Sequence, residues 1–278
     1  MLPDRLAQSG SPNAMRARSS VATKWVSGQC GSGRTRVSTL RTEAPLLLKT
    51  TRQKEPEPWQ GLEEVARVSV TAGAAGPIGG DDYRLDVEVG AGSTLVLGDV
   101  SPTLVLPGPS GAGSSYVITV EVAEHATLIW LAEPLIAARA CNHSQRIDVA
   151  LHPSARLMMR EELLLGRHGE ACGAVRQRST IRRGGATLYR QDLAVGPGAT
   201  GYDGAAVLGG ARAAGCVLIV DPAWEHAPPS ECVLSPRAAV LPLAGSAALI
   251  TAVADDNLAL RRDLHAGLAY LGPPWQPC

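Results

Sequence analysis

The side chains of this sequence that can bind a cation or move a proton lie between its apolar runs. Asp81 and Asp82 close the glycine-rich stretch Ala72–Asp82 (AGAAGPIGGDD), and Glu133 follows the run LIWLA. Cys141-Asn142-His143 sets a thiol beside an imidazole. Glu161-Glu162 precede LLLGRHGEAC, which adds Arg167, His168, Glu170 and Cys172. Carboxylate, imidazole and thiolate are donors that borderline divalent ions such as nickel favour. The spacings match no dedicated cage, since neither HExxH nor a paired CxxC occurs. Taken singly, each residue is more economically read as a solvated loop position or half of a structural ion pair. Weak donors strung along a path suit an ion in transit better than one held fast. Arg167 has a plain reading too: Gly166 permits positive φ after a strand, and the guanidinium can pair with Glu161 or Glu162.

Covalent chemistry finds less support. Gly113-Ser114-Ser115 and Gly196-Pro197-Gly198 do not match the GxSxG elbow and fall where turns are expected. Gly76-Pro77-Ile78-Gly79-Gly80 lacks the Lys and Ser/Thr that complete a phosphate-binding loop.

The connectors are positioned by a strand–turn–strand unit that recurs along the chain. Its copies are Asp86–Leu97 (DVEVGAGSTLVL), Thr119–Leu131 (TVEVAEHATLIWL) and Asp148–Arg160 (DVALHPSARLMMR), with a worn fourth at Ile181–Leu193. Leu95, Leu128, Leu157 and Leu188 mark spacings of 33, 29 and 31. Paired apolar runs around a polar turn predict hairpins, and the fixed period predicts stacked units. Upstream, Arg34–Thr51 predicts two short strands broken at Pro45, Gln53–Leu62 a Pro-rich loop and Ala66–Thr71 a strand. Downstream, Gly196–Gly215 reads as a loop or short helix, Cys216–Val220 as a buried strand and Cys232–Leu241 as one further strand. Asp255–Leu271 aligns Leu260, Leu264, Leu268 and Leu271 and offers Asp255 or Asp256 as a cap. That pattern predicts an amphipathic helix docked on the protein's own core.

The 278 residues are 45% hydrophobic and 19% charged, enough for a substantial core. Residues 1–54 hold 10 Lys/Arg and 2 acids (+8), and the rest hold 16 and 24 (−8). A mildly acidic body argues against binding nucleic acid through its phosphates. Residues 1–33 are expected to form a disordered basic extension, and 34–278 a single β-rich domain. Six scattered cysteines suit a reduced, cytoplasmic protein. Without a run of eighteen apolar residues, no membrane helix is expected.

IWLAEPLIAARAC followed after one strand by REELLLGRHGEACG resembles the urease accessory protein family UreD, also called UreH. That family carries a W-L-P-E-x-x-I segment and then an E-x-x-x-LGR-x-x-GE segment at similar spacing. Gly79-Gly80-Asp81 and the GAxxxL of Gly90–Leu95 are similar to its Gly-Gly-Asp turn and following strand, and Gly33-Arg34-Thr35 before APLLLKTTR to its first strands. The resemblance covers Gly33–Gly196 closely and the C-terminal third loosely. Ala132 replaces the usual Pro, LVLPGPSG stands where many members have a KFYRS-like segment, and TAGAAGPIGG shortens an H-P-P-G-G run. These departures suggest a divergent, actinobacterial-type branch.

The resemblance implies a mainly β, two-layer stacked, β-helix-like fold with few helices and one amphipathic helix near the C-terminus. It implies a non-catalytic factor that binds apo-urease with UreF and the GTPase UreG and helps deliver Ni²⁺. No tightly bound cofactor is implied, Ni²⁺ would be in transit, and GTP would act only through the partner GTPase. Carried over by motif position, the metal-path acids are Asp81, Glu161 and Glu170, then Glu133 and Glu162, with His168 beside them. Gly79, Gly80, Gly166 and Arg167 are its structural positions. Two rival readings are a carbohydrate-active enzyme on a β scaffold, disfavoured by so few aromatic residues, and a metal-independent interaction adaptor.

Overall fold

The computed structural model describes residues 14–28, 33–52, 65–109 and 111–275. The chain opens with β1 (Arg16–Ser27), β2 (Gly33–Arg41), β3 (Leu46–Thr50) and β4 (Ala66–Ala72). The repeat region follows as β5 (Asp82–Val89), β6 (Thr94–Asp99), β7 (Thr103–Val105), β8 (Ser114–Val122), β9 (Thr127–Leu131), β10 (Leu135–Ala137), β11 (Asn142–Leu151), β12 (Arg156–Leu164), β13 (Ala174–Arg183) and β14 (Ala186–Val195). The last third holds β15 (Ala213–Val220), β16 (Cys232–Ser235), β17 (Ala238–Leu243), β18 (Ala247–Ala254) and the helix α1 (Asn257–Leu271).

Two facing sheets result. The first runs β14-β13-β11-β8-β5-β1-β2; the second runs β16-β17-β18-β15-β12-β9-β6-β4-β3, with β10 beside β12 and β7 beside β10. The first three repeats each give one strand to each sheet, stacked in parallel. Their internal turns are therefore corners between layers, and the hairpin expectation is corrected. A hairpin would leave the apolar rows of both strands on one uncovered face, whereas crossing over buries each row against the other layer. Leu95 pairs with Leu128, and Leu128 with Leu157, in one fully buried ladder. Opposite it stand Val87, Val120 and Val149 in register.

The fourth copy does turn back. β13 stacks in parallel on β11, but β14 pairs antiparallel with β13, so Leu188 leaves the ladder. The vacant place beside β12 in the second sheet goes to β15, which runs antiparallel.

Arg16–Ser27 also departs from expectation, because it is a strand seated between β2 and β5. Its inward row, Ala17, Ser19, Val21 and Thr23, is buried. Ser19 Oγ donates to the Leu46 carbonyl at 2.6 Å and accepts the Glu43 amide at 3.0 Å. A row half made of hydroxyls shows no apolar period in sequence. The remainder of the expected extension, residues 1–13 and 29–32, lies outside the described residues, as does Gln53–Leu62.

Cys232–Leu241 forms two strands, β16 and β17, paired as a hairpin. Residues 196–212 form successive turns. α1 starts where the cap placed it: the Asp256 carboxylate accepts the Ala259 amide at 2.8 Å. Leu260, Leu264 and Leu268 pack on Val240, Ile250 and Trp275 behind the second sheet.

Candidate functional site

The space between the layers is aliphatic near the corners and polar toward the opposite end. In the first sheet Tyr83, Tyr116, Gln145 and Gln177 form one inward row by register. The Tyr83 and Tyr116 rings meet edge to face with centroids 6.2 Å apart. The second sheet answers with Asp99, Trp130, Met159 and Glu161, and two cavities of about 90 and 240 Å³ open here. Glu161 and Gln177 line both cavities. The smaller reaches Asp99, Tyr116, Gln145 and Glu133, and the larger reaches Ser179, Tyr189, Gln191 and Cys216.

Strand pleating separates the adjacent acids of β12. Glu161 faces the cavities, and the Ser179 hydroxyl lies 2.8 and 2.9 Å from its two oxygens. Burial pushes the Glu161 carboxyl up to about 6, against the pull of that hydroxyl. Glu162 points the other way, toward α1, with a fully buried side chain held by Arg160 at 3.2 Å and Arg261 at 3.0 Å. Burial raises the Glu162 carboxyl while the two guanidiniums pull it down. Arg261 also reaches Glu133 at 2.8 Å, and Arg160 donates to the Ala132 carbonyl and meets Glu133 at 3.3 Å. Asp99 accepts the Glu133 amide at 2.9 Å. Burial raises Asp99 to about 7; that hydrogen bond and Arg160 oppose the rise, and the Glu133 charge adds to it.

The other sequence-derived residues lie apart from this cluster. Asp81 is buried and accepts from the Met15 amide, the Ile78 amide and the Tyr83 hydroxyl at 2.8, 2.9 and 2.8 Å. It ties the glycine turn to Met15, just before β1, and reaches the smaller cavity through Tyr83. Gly79 is pressed on Gly108 and Ala112, where an added Cβ would collide with the Ala112 carbonyl oxygen; Gly80 has φ of 106°. Gly166 has φ of 87° and opens an exposed turn. There Arg167 pairs with Glu170 through two contacts of 2.8 Å, not with Glu161 or Glu162. Those carboxylates face the interior and α1, away from the turn. Hydrogen bonding from Arg167 holds Glu170 down at about 2. His168 is exposed in the same turn. Cys141 and His143 are buried at the start of β11, with His143 Nδ1 2.9 Å from Ser114 Oγ and the ring lowered to about 4 by burial.

The structure thus gathers Glu133, Glu161 and Glu162 and leaves out Asp81, His168 and Glu170. Sequence reasoning missed Asp99, Arg160, Ser179, Cys216 and Arg261. Arg160 had a local signal, a charge immediately before the acid pair at the end of an apolar run. The others meet the site across long stretches of chain. Among the described residues, no group of three or more His, Cys, Asp or Glu side chains is arranged to hold a metal ion. No helix is long and apolar enough to cross a membrane among them.

Comparison with known proteins agrees with this arrangement of motifs. A sequence model of the UreD urease accessory protein family matches residues 20–276. The urease accessory protein UreD of Streptomyces avermitilis is 41% identical over 243 residues, covering 87% of this chain and 93% of that protein. Its counterpart in Streptomyces coelicolor is 41% identical over 242 residues, covering 87% and 92%. That of Frankia alni is 38% identical over 285, covering 91% and 92%. The chain belongs to the UreD family of urease accessory proteins.

Proposed function

We propose that this protein is a non-catalytic urease maturation factor of the cytoplasm. It binds apo-urease together with UreF and the GTPase UreG, and it helps deliver Ni²⁺ to the urease active site. GTP enters only through the partner GTPase. The observation that carries the reading is that Glu161 and Gln177 line both of the cavities between the sheets. Glu133 and Glu161, which line the cavities, are the acids of the route, while Glu162 is closed between Arg160 and Arg261 and braces the arginines that hold Glu133. A single carboxylate with a hydroxyl partner offers few ligands, so an ion there keeps water and moves on. Asp81 serves the route by fixing Tyr83, while His168 and Glu170 belong to the outer turn.

Co-expression with the urease structural subunits and UreF, followed by affinity purification, tests the scaffold. A monodisperse chain that captures neither refutes it. Urease that activates normally with Glu161→Ala, in a complex that still assembles, would favour the metal-independent adaptor.

A further inference from the structure

The larger cavity holds a thiol that the acid route does not use. Cys216 sits opposite Glu161 in the antiparallel β12–β15 ladder. Directly opposed residues of such a ladder project to the same face with Cβ atoms about 5 Å apart. Both line the larger cavity with Tyr189, Gln191 and Thr251. Cys216 is free and buried, and its sulfur lies 4.0 Å from Gln191 Oε1, which also accepts from the Tyr189 hydroxyl.

We propose that Cys216 and Glu161 form a mixed sulfur–oxygen waypoint that makes the interior route prefer borderline divalent cations over Mg²⁺ and Ca²⁺. The inference rests on the nickel-route reading above and adds the basis of its selectivity. Hard cations seek all-oxygen shells, whereas Ni²⁺ and its neighbours gain from a sulfur donor. On binding, the S–H bond breaks, a metal–sulfur bond forms and the proton leaves to cavity water; no electron changes hands. The oxygens of Tyr189 and Gln191 and residual water complete the shell. A space of about 240 Å³ admits an ion that retains part of its hydration. Burial and the neighbouring Glu161 charge push the Cys216 thiol up, so its proton returns as the ion departs and the ion is selected without being trapped.

The test titrates the full-length protein with Ni²⁺ and separately with Mg²⁺, by calorimetry and near-ultraviolet absorbance. The wild type should develop a sulfur-to-nickel charge-transfer band. Cys216→Ser should lose it and bind Ni²⁺ roughly ten-fold or more weakly, with Mg²⁺ binding unchanged. Cys172→Ser should retain the band. A band that survives Cys216→Ser, or equal losses for Ni²⁺ and Mg²⁺, overturns the waypoint. Should Cys216→Ser fail to fold, Glu161→Gln decides: it should keep the band with weaker Ni²⁺ affinity, and unchanged affinity overturns the pairing. Ni²⁺ binding without a band in the wild type defeats the waypoint alone. No Ni²⁺ binding at all defeats the route with it.

Discussion

Glu161→Gln should make the protein more stable at neutral pH while impairing urease activation. Burial raises the Glu161 carboxyl from its ordinary 4.5 to about 6. A raised folded-state value means that the folded protein favours the protonated form. Its contribution is fully present below pH 4.5 and is lost as pH rises through 6, so the ionised carboxylate is a burden at pH 7. A shift of about 1.5 units at 1.36 kcal/mol per unit amounts to about 2 kcal/mol. Glu161 borders a cavity and keeps partial access to solvent, so this is an upper bound. The amide preserves the oxygen that accepts from Ser179, and its new N–H₂ can donate to the Ser179 oxygen. The variant should therefore gain up to about 2 kcal/mol at pH 7, which for a chain of this size raises Tm by roughly 4–8 °C. The gain should shrink below about 1 kcal/mol at pH 5. Urea titrations of both proteins across this range measure it. A variant that is less stable at pH 7, or one whose gain does not change with pH, refutes the reasoning.

Arg261→Met should cost about 1–3 kcal/mol in urea unfolding, below the usual penalty for orphaning a buried charge, because Arg160 still pairs with Glu162. Asp81→Ala strips three donors of their acceptor. It should cost about 3 kcal/mol or more, with hydrogen exchange quickening first at the Met15 and Ile78 amides. Leu264→Ala, in the packed stripe of α1, should cost about 2–5 kcal/mol, read as a lower urea midpoint. Gly166→Ala forces a side chain into φ of 87° and within 2.5 Å of the Glu170 carbonyl oxygen; faster proteolysis at 165–171 is its expected signature.

The ladder was legible in sequence because Leu95, Leu128 and Leu157 are large, apolar and regularly spaced, and parallel stacking sets them in line. β1 was not, because Ser19 and Thr23 occupy inward places that hydropathy assigns to water. The layer crossings read as hairpins, since a corner and a hairpin turn use the same residues and differ only in what the second strand pairs with. Motif order singled out Glu133, Glu161 and Glu162, which the fold brings to the border of one cavity. Nothing local announced Arg261, which lies 128 residues from Glu133 and 99 from Glu162. Cys216 likewise meets Glu161 only after β15 has taken the position that the fourth repeat gave up.

That relinquished position has a consequence for how the interior can change. The larger cavity lies where β13 and β14 face β15 and β18, at the point where the winding of the chain breaks its own rhythm. Its existence follows from the path of the backbone, not from the trimming of any one side chain. Exchanges at Cys216, Tyr189, Gln191 and Thr251, which line it, would alter the character of the space. In the regular coils a smaller residue leaves a hole and a larger one a clash. Here selection can retune the lining residue by residue on a chassis already built to contain room.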